Sequence, residues 1–215
     1  MKKMILCALV IWGVGLDLKA QTDKAKAILA EVSKKYHSYD VIKTDFTYTL
    51  DNPQAKVKET QTGTLYVRSK ANKYKIILKG QELISDGKNQ WTYLKADKEV
   101  QVSKVEGNSD ALNPAKIFTI YEKGFKYLYT GDSKVNGRIY HTIDLTPTDS
   151  KRTFFKVRLL IDKANKQITN AIIFDKNGNH YTYSIKTFTP NVKIQESIFA
   201  FDTKKHPDVE VVDLR

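Results

Sequence analysis

The chain has 215 residues, 41% hydrophobic and 28% charged, with a single cysteine and a formal charge of +12. With one cysteine, a disulfide framework or a cysteine metal cluster is excluded, so stability must come from a hydrophobic core. The length is enough to bury one, and no linker, repeat or low-complexity tract divides it. A basic balance of this size governs where a protein docks rather than how it folds.

Lys2 and Lys3 open the chain, Met4 to Leu16 is an apolar run, and Ala20 precedes the polar stretch QTDKAK. This is the layout of a secretory signal peptide, too short to span a bilayer. The expected organisation is therefore a signal peptide over 1–20 and a single domain over 21–215. Cys7 follows Leu6 rather than a small residue, a poor context for lipid attachment. Cleavage after Ala20 would remove Cys7, Met1 and Met4, and with three lysines and Asp17 gone the charge falls from +12 to +10. In an exported chain, a basic surface meets an anionic membrane or an acidic protein sooner than nucleic acid.

Next, DKAKAILAEVSKKY spaces Ala25, Ile28, Leu29, Val32 and Tyr36 as one face of a helix, with Asp23 as its N-cap. From residue 41 the period becomes two. Phe46, Tyr48 and Leu50 share a face, as do Leu65 with Val67, Tyr74 with Ile76, and Trp91 with Tyr93. Val100 alternates with Val102, then Phe155, Val157, Leu159 and Ile161 share a face, as do Tyr181, Tyr183 and Ile185. Such runs are half-buried antiparallel strands. Asp51-Asn52-Pro53, Asp86-Gly87, Asn136-Gly137 and Asn177-Gly178 punctuate them as turns. About ten strands follow one another, interrupted once over 107–125. There Asn113-Pro114 starts a second, short helix carrying Ile117, Phe118 and Tyr121. So many twisted strands must curl or close, and helices on the concave side would leave the aromatic stripes a closed-off space to face.

Chemistry finds little footing. His37, His141, His180 and His206 lack metal-ligand spacing. GDSKVNG (131–137) lacks the helical context of an esterase serine and reads as a hairpin turn, and DKNGNHY (175–181) lacks the glycine and glutamate positions of a calcium loop. Asp144 and Asp162 read as solvated rather than as a hydrolytic pair. Lys73, Lys75, Lys156, Arg158 and Lys186 fall opposite the aromatics, whereas a single-strand nucleic-acid platform needs both on one face. Neither an enzyme nor a nucleic-acid binder is expected.

GTLYVR (63–68), KYKIIL (73–78) and LISDGKNQWTYLKADKEVQVS (83–103) resemble the periplasmic lipoprotein carriers of the LolA type. The similarity continues through NPAKIF, HTIDLTP, KVRLLIDKANKQI, IIFDKNGNHYTYSI and FAFDTKKHPDVEVVD. It implies a mainly β fold with two or three helices: an unclosed antiparallel β-barrel whose helices lid an apolar cavity. It also implies a monomeric periplasmic chaperone, without cofactor, that takes acylated lipoproteins from an inner-membrane lipoprotein-releasing ABC transporter to an outer-membrane acceptor. The alternative is a module of the same fold for another amphiphile, such as a glycolipid, fatty acid or lipid precursor. On this resemblance Phe46, Tyr48, Leu65, Val67, Tyr74, Ile76, Trp91, Tyr93, Val157, Leu159, Tyr181 and Tyr183 line the acyl cavity, with Ile117 and Phe118 on the lid helix. The family's lid-holding arginine falls on Arg68, where Ser69-Lys70 replaces the usual following proline and the strand parity points outward.

Overall fold

The computed structural model describes residues 13–105 and 114–215. The basic start and most of the apolar run of the expected signal peptide lie outside the described residues. Helix α1 runs Gly13–His37, so it begins ten residues before the expected cap and Asp23 is an exposed interior position. No Gly or Pro interrupts residues 16–37, which leaves nothing to stop the helix at Asp23. Ala25, Leu29, Val32 and Tyr36 form its buried stripe, and Lys34 and Lys35 sit in the last turn, where the helix dipole favours cations.

Thirteen strands follow among the described residues: β1 Ile42–Asn52, β2 Val57–Arg68, β3 Lys73–Leu78, β4 Gln81–Asp86, β5 Asn89–Leu94, β6 Glu99–Lys104, β7 Phe125–Val135, β8 Arg138–Pro147, β9 Phe154–Asp162, β10 Gln167–Asp175, β11 His180–Ile185, β12 Thr189–Pro190 and β13 Glu210–Asp213. They make one sheet in the order β13-β6-β5-β4-β3-β2-β1-β11-β10-β9-β8-β7, with the short β12 on β1. Strand β1 joins two antiparallel meanders by pairing with β2 on one side and β11 on the other. The sheet does not close, since β7 and β13 form its two ends; β13 pairs parallel to β6. The mainly β, unclosed architecture is as expected, with more strands than the sequence pattern resolves.

The second helix is a correction. Residues 114–122 form two 3-10 turns, Pro114–Phe118 and Ile120–Glu122, separated by Thr119. A helical turn fixes many dihedrals for one hydrogen bond, and about nine residues ending near Gly124 cannot recover that cost. Among the described residues, one α-helix and several 3-10 turns therefore stand where two or three helices are expected.

The turn signals hold. Val135 pairs with Arg138 across Asn136 (φ 48°) and Gly137 (φ 79°), both left-handed as a two-residue hairpin demands. GDSKVNG is only partly a turn, because Gly131-Asp132-Ser133 lies within β7, at a register shift. A second shift, beside Asp175, changes the parity of β9. Phe154 is thereby buried and Phe155 is 51% exposed, the reverse of simple alternation. Asp144 and Asp162 are not free in solvent either. Asp144 takes a bidentate pair from Arg158 (2.7 and 2.8 Å), and buried Asp162 accepts from the Asn165 backbone N–H at 2.8 Å.

Candidate functional site: the covered inner face

Cross-strand register assembles the inner face row by row, since paired residues share a side of the sheet. Ile42, Val67, Tyr74 and Ser85 make one row, and Thr44, Leu65, Ile76 and Leu83 the next. Phe46 faces Gly63 and Ile185, with Leu78 beyond Gly63. Tyr48, Tyr183, Ala171, Leu159 and Ile143 continue across the other meander, and Leu50, Tyr181, Ile173, Val157 and Leu145 run beside them. Ten of the residues expected at the site are thus brought onto this side by the sheet: Phe46, Tyr48, Leu65, Val67, Tyr74, Ile76, Val157, Leu159, Tyr181 and Tyr183. All are buried except Tyr48 and Tyr181, which are half-buried at the margin of the cluster. Their rings stack at 6.2 Å, with Tyr183 5.1 Å from Tyr48.

Two covers lie on this face. The stripe of α1 packs on the β7 flank, and the 3-10 strap packs over β2 and β3. Ile117 and Phe118 sit on the strap, both buried. Phe118 is fully enclosed, edge-on to Tyr36 at 4.9 Å and to Phe188 at 5.9 Å. Three polar contacts tie the covers down. Ser33 Oγ of the helix donates to Glu122 of the strap at 2.6 Å, and Tyr127 Oη of β7 donates to the Tyr121 carbonyl at 2.8 Å. The third anchors the helix, where Tyr36 Oη accepts the buried backbone N–H of Ile168 at 2.8 Å, beside a bulge in β10. Burial pushes the phenols of Tyr36, Tyr121 and Tyr183 well up, so all three are neutral.

Tyr36 and Tyr121 belong to this cluster, as their helical spacing indicates. Phe188 belongs too, although it lies in an irregular stretch that carries no periodic signal. At the margin under the start of α1, Asp132 accepts from Tyr129 Oη (2.7 Å) and meets His141 Nδ1 (2.5 Å). Burial works against its charge, but these bonds outweigh it and hold the carboxyl down to about 2. Ser133 pairs with Tyr140 and so points to the opposite side of β7 from Asp132.

Trp91 and Tyr93 are a correction. Their rows run Tyr66, Lys75, Ile84, Trp91, Val102 and Thr64, Ile77, Glu82, Tyr93, Val100, which is the outer face. Two-residue spacing puts both rings on one side but does not say which side. Here a second apolar cluster forms: Ile84, Val100 and Val102 are buried, as is Phe199 of the C-terminal stretch. Tyr93 meets Phe201 at 5.2 Å and His206 at 5.3 Å. An open cleft of about 390 Å³ lies between this face and the stretch from Ile194 to His206. Arg68 serves the same clasp. It bonds Glu196 and Asp40 and lies 5.6 Å from the Phe199 ring, while Lys73 also reaches Glu196. In this structure it fastens the C-terminal stretch to the link between α1 and β1.

The described residues thus form an unclosed, almost wholly antiparallel sheet with one apolar face, covered there by one helix and a 3-10 strap. Residues 37–202 match the outer membrane lipoprotein carrier protein LolA family, and the chain belongs to that family. No curated protein matches the chain. Among solved structures it is similar to an uncharacterised conserved protein from Thermus thermophilus (TM-score 0.57, 15% identity, covering 88% of this chain and 99% of that one). It is also similar to a domain assigned to outer membrane lipoprotein sorting from Vibrio parahaemolyticus (0.51, 15%, 83% and 97%) and to LprF from Mycobacterium bovis (0.51, 12%, 81% and 97%). At these identities the likeness establishes the fold alone. No helix among the described residues is long and apolar enough to cross a membrane.

Proposed function

We propose that this protein is a periplasmic carrier that binds the acyl chains of lipoproteins against the inner face, once the strap has moved aside. On this reading residues 1–20 are removed on export, an inner-membrane ABC transporter loads the cargo, and an outer-membrane acceptor receives it. The supporting observation is the cover itself. An apolar sheet face is protected by a short irregular strap and a helix rather than by a second sheet, so the chain lends its own side chains where cargo would lie.

The energies suit reversible exchange. An acyl chain of about sixteen carbons needs ~12 kcal/mol of compensation to leave a membrane, at ~0.8 kcal/mol per methylene. Ile117 and Phe118 together forfeit roughly 3–6 kcal/mol when uncovered. Relative to water, filling the face recovers more than lifting the strap costs. Relative to the membrane the two burials cancel, so the transporter has to supply the strap's cost on loading, and the returning strap helps to expel the cargo. The function needs no bond-making group, and most residues on the inner face are rings and aliphatic chains suited to binding.

Co-purification tests the reading. Isolated from periplasm, the protein is expected to bring acylated proteins with it. If only free lipids or glycolipids accompany it, the fold serves another amphiphile and the lipoprotein reading fails.

A further inference from the structure

We propose that the tip of the β7–β8 hairpin is a docking point for an anionic lipid surface. The β8–β9 ladder begins at Tyr140 with Asp162, extended by one bond from the Lys163 N–H to the Ile139 carbonyl. Residues 134–138 lie beyond that point and β7 is an end strand, so the two-stranded tip stands clear of its neighbours. Two large aliphatic side chains are exposed on it: Val135 at 51% and Ile139 at 42%. In the register Val135 pairs with Arg138 and Lys134 with Ile139, so each face of the tip carries one aliphatic and one cationic side chain.

Cations gather behind the tip. Lys163 and Lys166 lie on the adjoining β9–β10 turn, and Lys35 at the end of α1 bonds the Asn165 carbonyl of that turn. The facing acids are Asp132, Asp162 and Glu31. Each is already engaged, with Lys163 at 3.5 Å, Arg138 at 3.6 Å and Lys166 at 2.9 Å. Five cations (Lys35, Lys134, Arg138, Lys163 and Lys166) thus stand against three acids, leaving the end of the molecule positive. A cleft of about 460 Å³ between the two turns is lined by Arg138, Ile139, Asp162, Lys163 and Asn165.

Shallow aliphatic insertion ringed by lysine and arginine is the chemistry of an anionic bilayer interface. Two aliphatic side chains are too little for the apolar centre of a stable protein interface. The inference is independent of acyl cargo, because its test contains none.

The test is flotation of the protein purified as exported, with phosphatidylglycerol–phosphatidylcholine vesicles and with phosphatidylcholine alone. The protein is expected to float with the anionic vesicles, less so at high salt, and not with the neutral ones. Val135→Ser with Ile139→Ser keeps the charge and is expected to cut bound protein at least fivefold. The same exchange at the exposed Val57 and Val211 should leave it unchanged. An environment-sensitive dye on Val135→Cys, the one cysteine left once residues 1–20 are removed, should shift blue with anionic vesicles. The proposal is overturned if the wild-type protein ignores them, if the hairpin pair floats like wild type, if the control pair loses as much, or if the dye does not shift.

Discussion

Phe118→Ala is expected to lower the free energy of unfolding by about 3–5 kcal/mol, the range for removing a large side chain from a filled core. Phe118 is fully buried and stands between the strap, Tyr36 of the helix and Phe188. The strap is held by short 3-10 bonds and by its ties to the helix and β7, so it cannot collapse into the space without losing Ser33–Glu122 or Tyr127–Tyr121. Urea unfolding followed by circular dichroism measures the change. A loss below about 1 kcal/mol, the range of an ordinary surface site, would mean that the strap is not packed as described. Phe118→Asp confounds cargo binding with folding, because it would leave a carboxylate in the same enclosure.

Gly63→Ala is the second large effect, and it works by crowding. A Cβ at this position would come within 2.7 Å of Leu78 Cδ2, 2.8 Å of Phe46 Cζ and 2.9 Å of the Ile77 carbonyl oxygen. Two of these neighbours are inner-face side chains and the third is backbone that cannot rotate away. Glycine lets the Phe46 ring lie across β2, which is how the face stays continuous between its two meanders. The expected cost is about 1–3 kcal/mol, as for overpacking elsewhere. A thermal melt identical to wild type would show that β2 and β3 separate more easily than their register implies.

How much of this is legible in the sequence depends on which physical signal each residue carries. Alternation locates Phe46, Leu65, Tyr74, Val157 and Tyr183, because a half-buried strand must segregate its side chains. It places Trp91 and Tyr93 together correctly but on the wrong side. Parity fixes faces only within one strand, and the outer face gains its own apolar cover from Phe199 and Phe201, far along the chain. Phe155 and Phe154 exchange roles through a register shift that leaves no compositional mark. The strap is visible as an interruption, yet it reads as a helix because three apolar positions at helical spacing do not reveal that the segment is too short to sustain one. Arg68's outward parity is plain in the sequence, but its partners Asp40 and Glu196 are far enough away along the chain that only folding brings them together.

The most direct measurement places a benzophenone side chain at residue 48, 181 or 91 and irradiates the protein with a triacylated lipopeptide. Residues 48 and 181 are the half-open margin of the inner face, and residue 91 is on the outer face, so all three accept a ring without emptying the core. Adducts are predicted from 48 and 181 and not from 91. Adducts from 91 alone, or equally from all three, would contradict an inner-face site for the acyl chains.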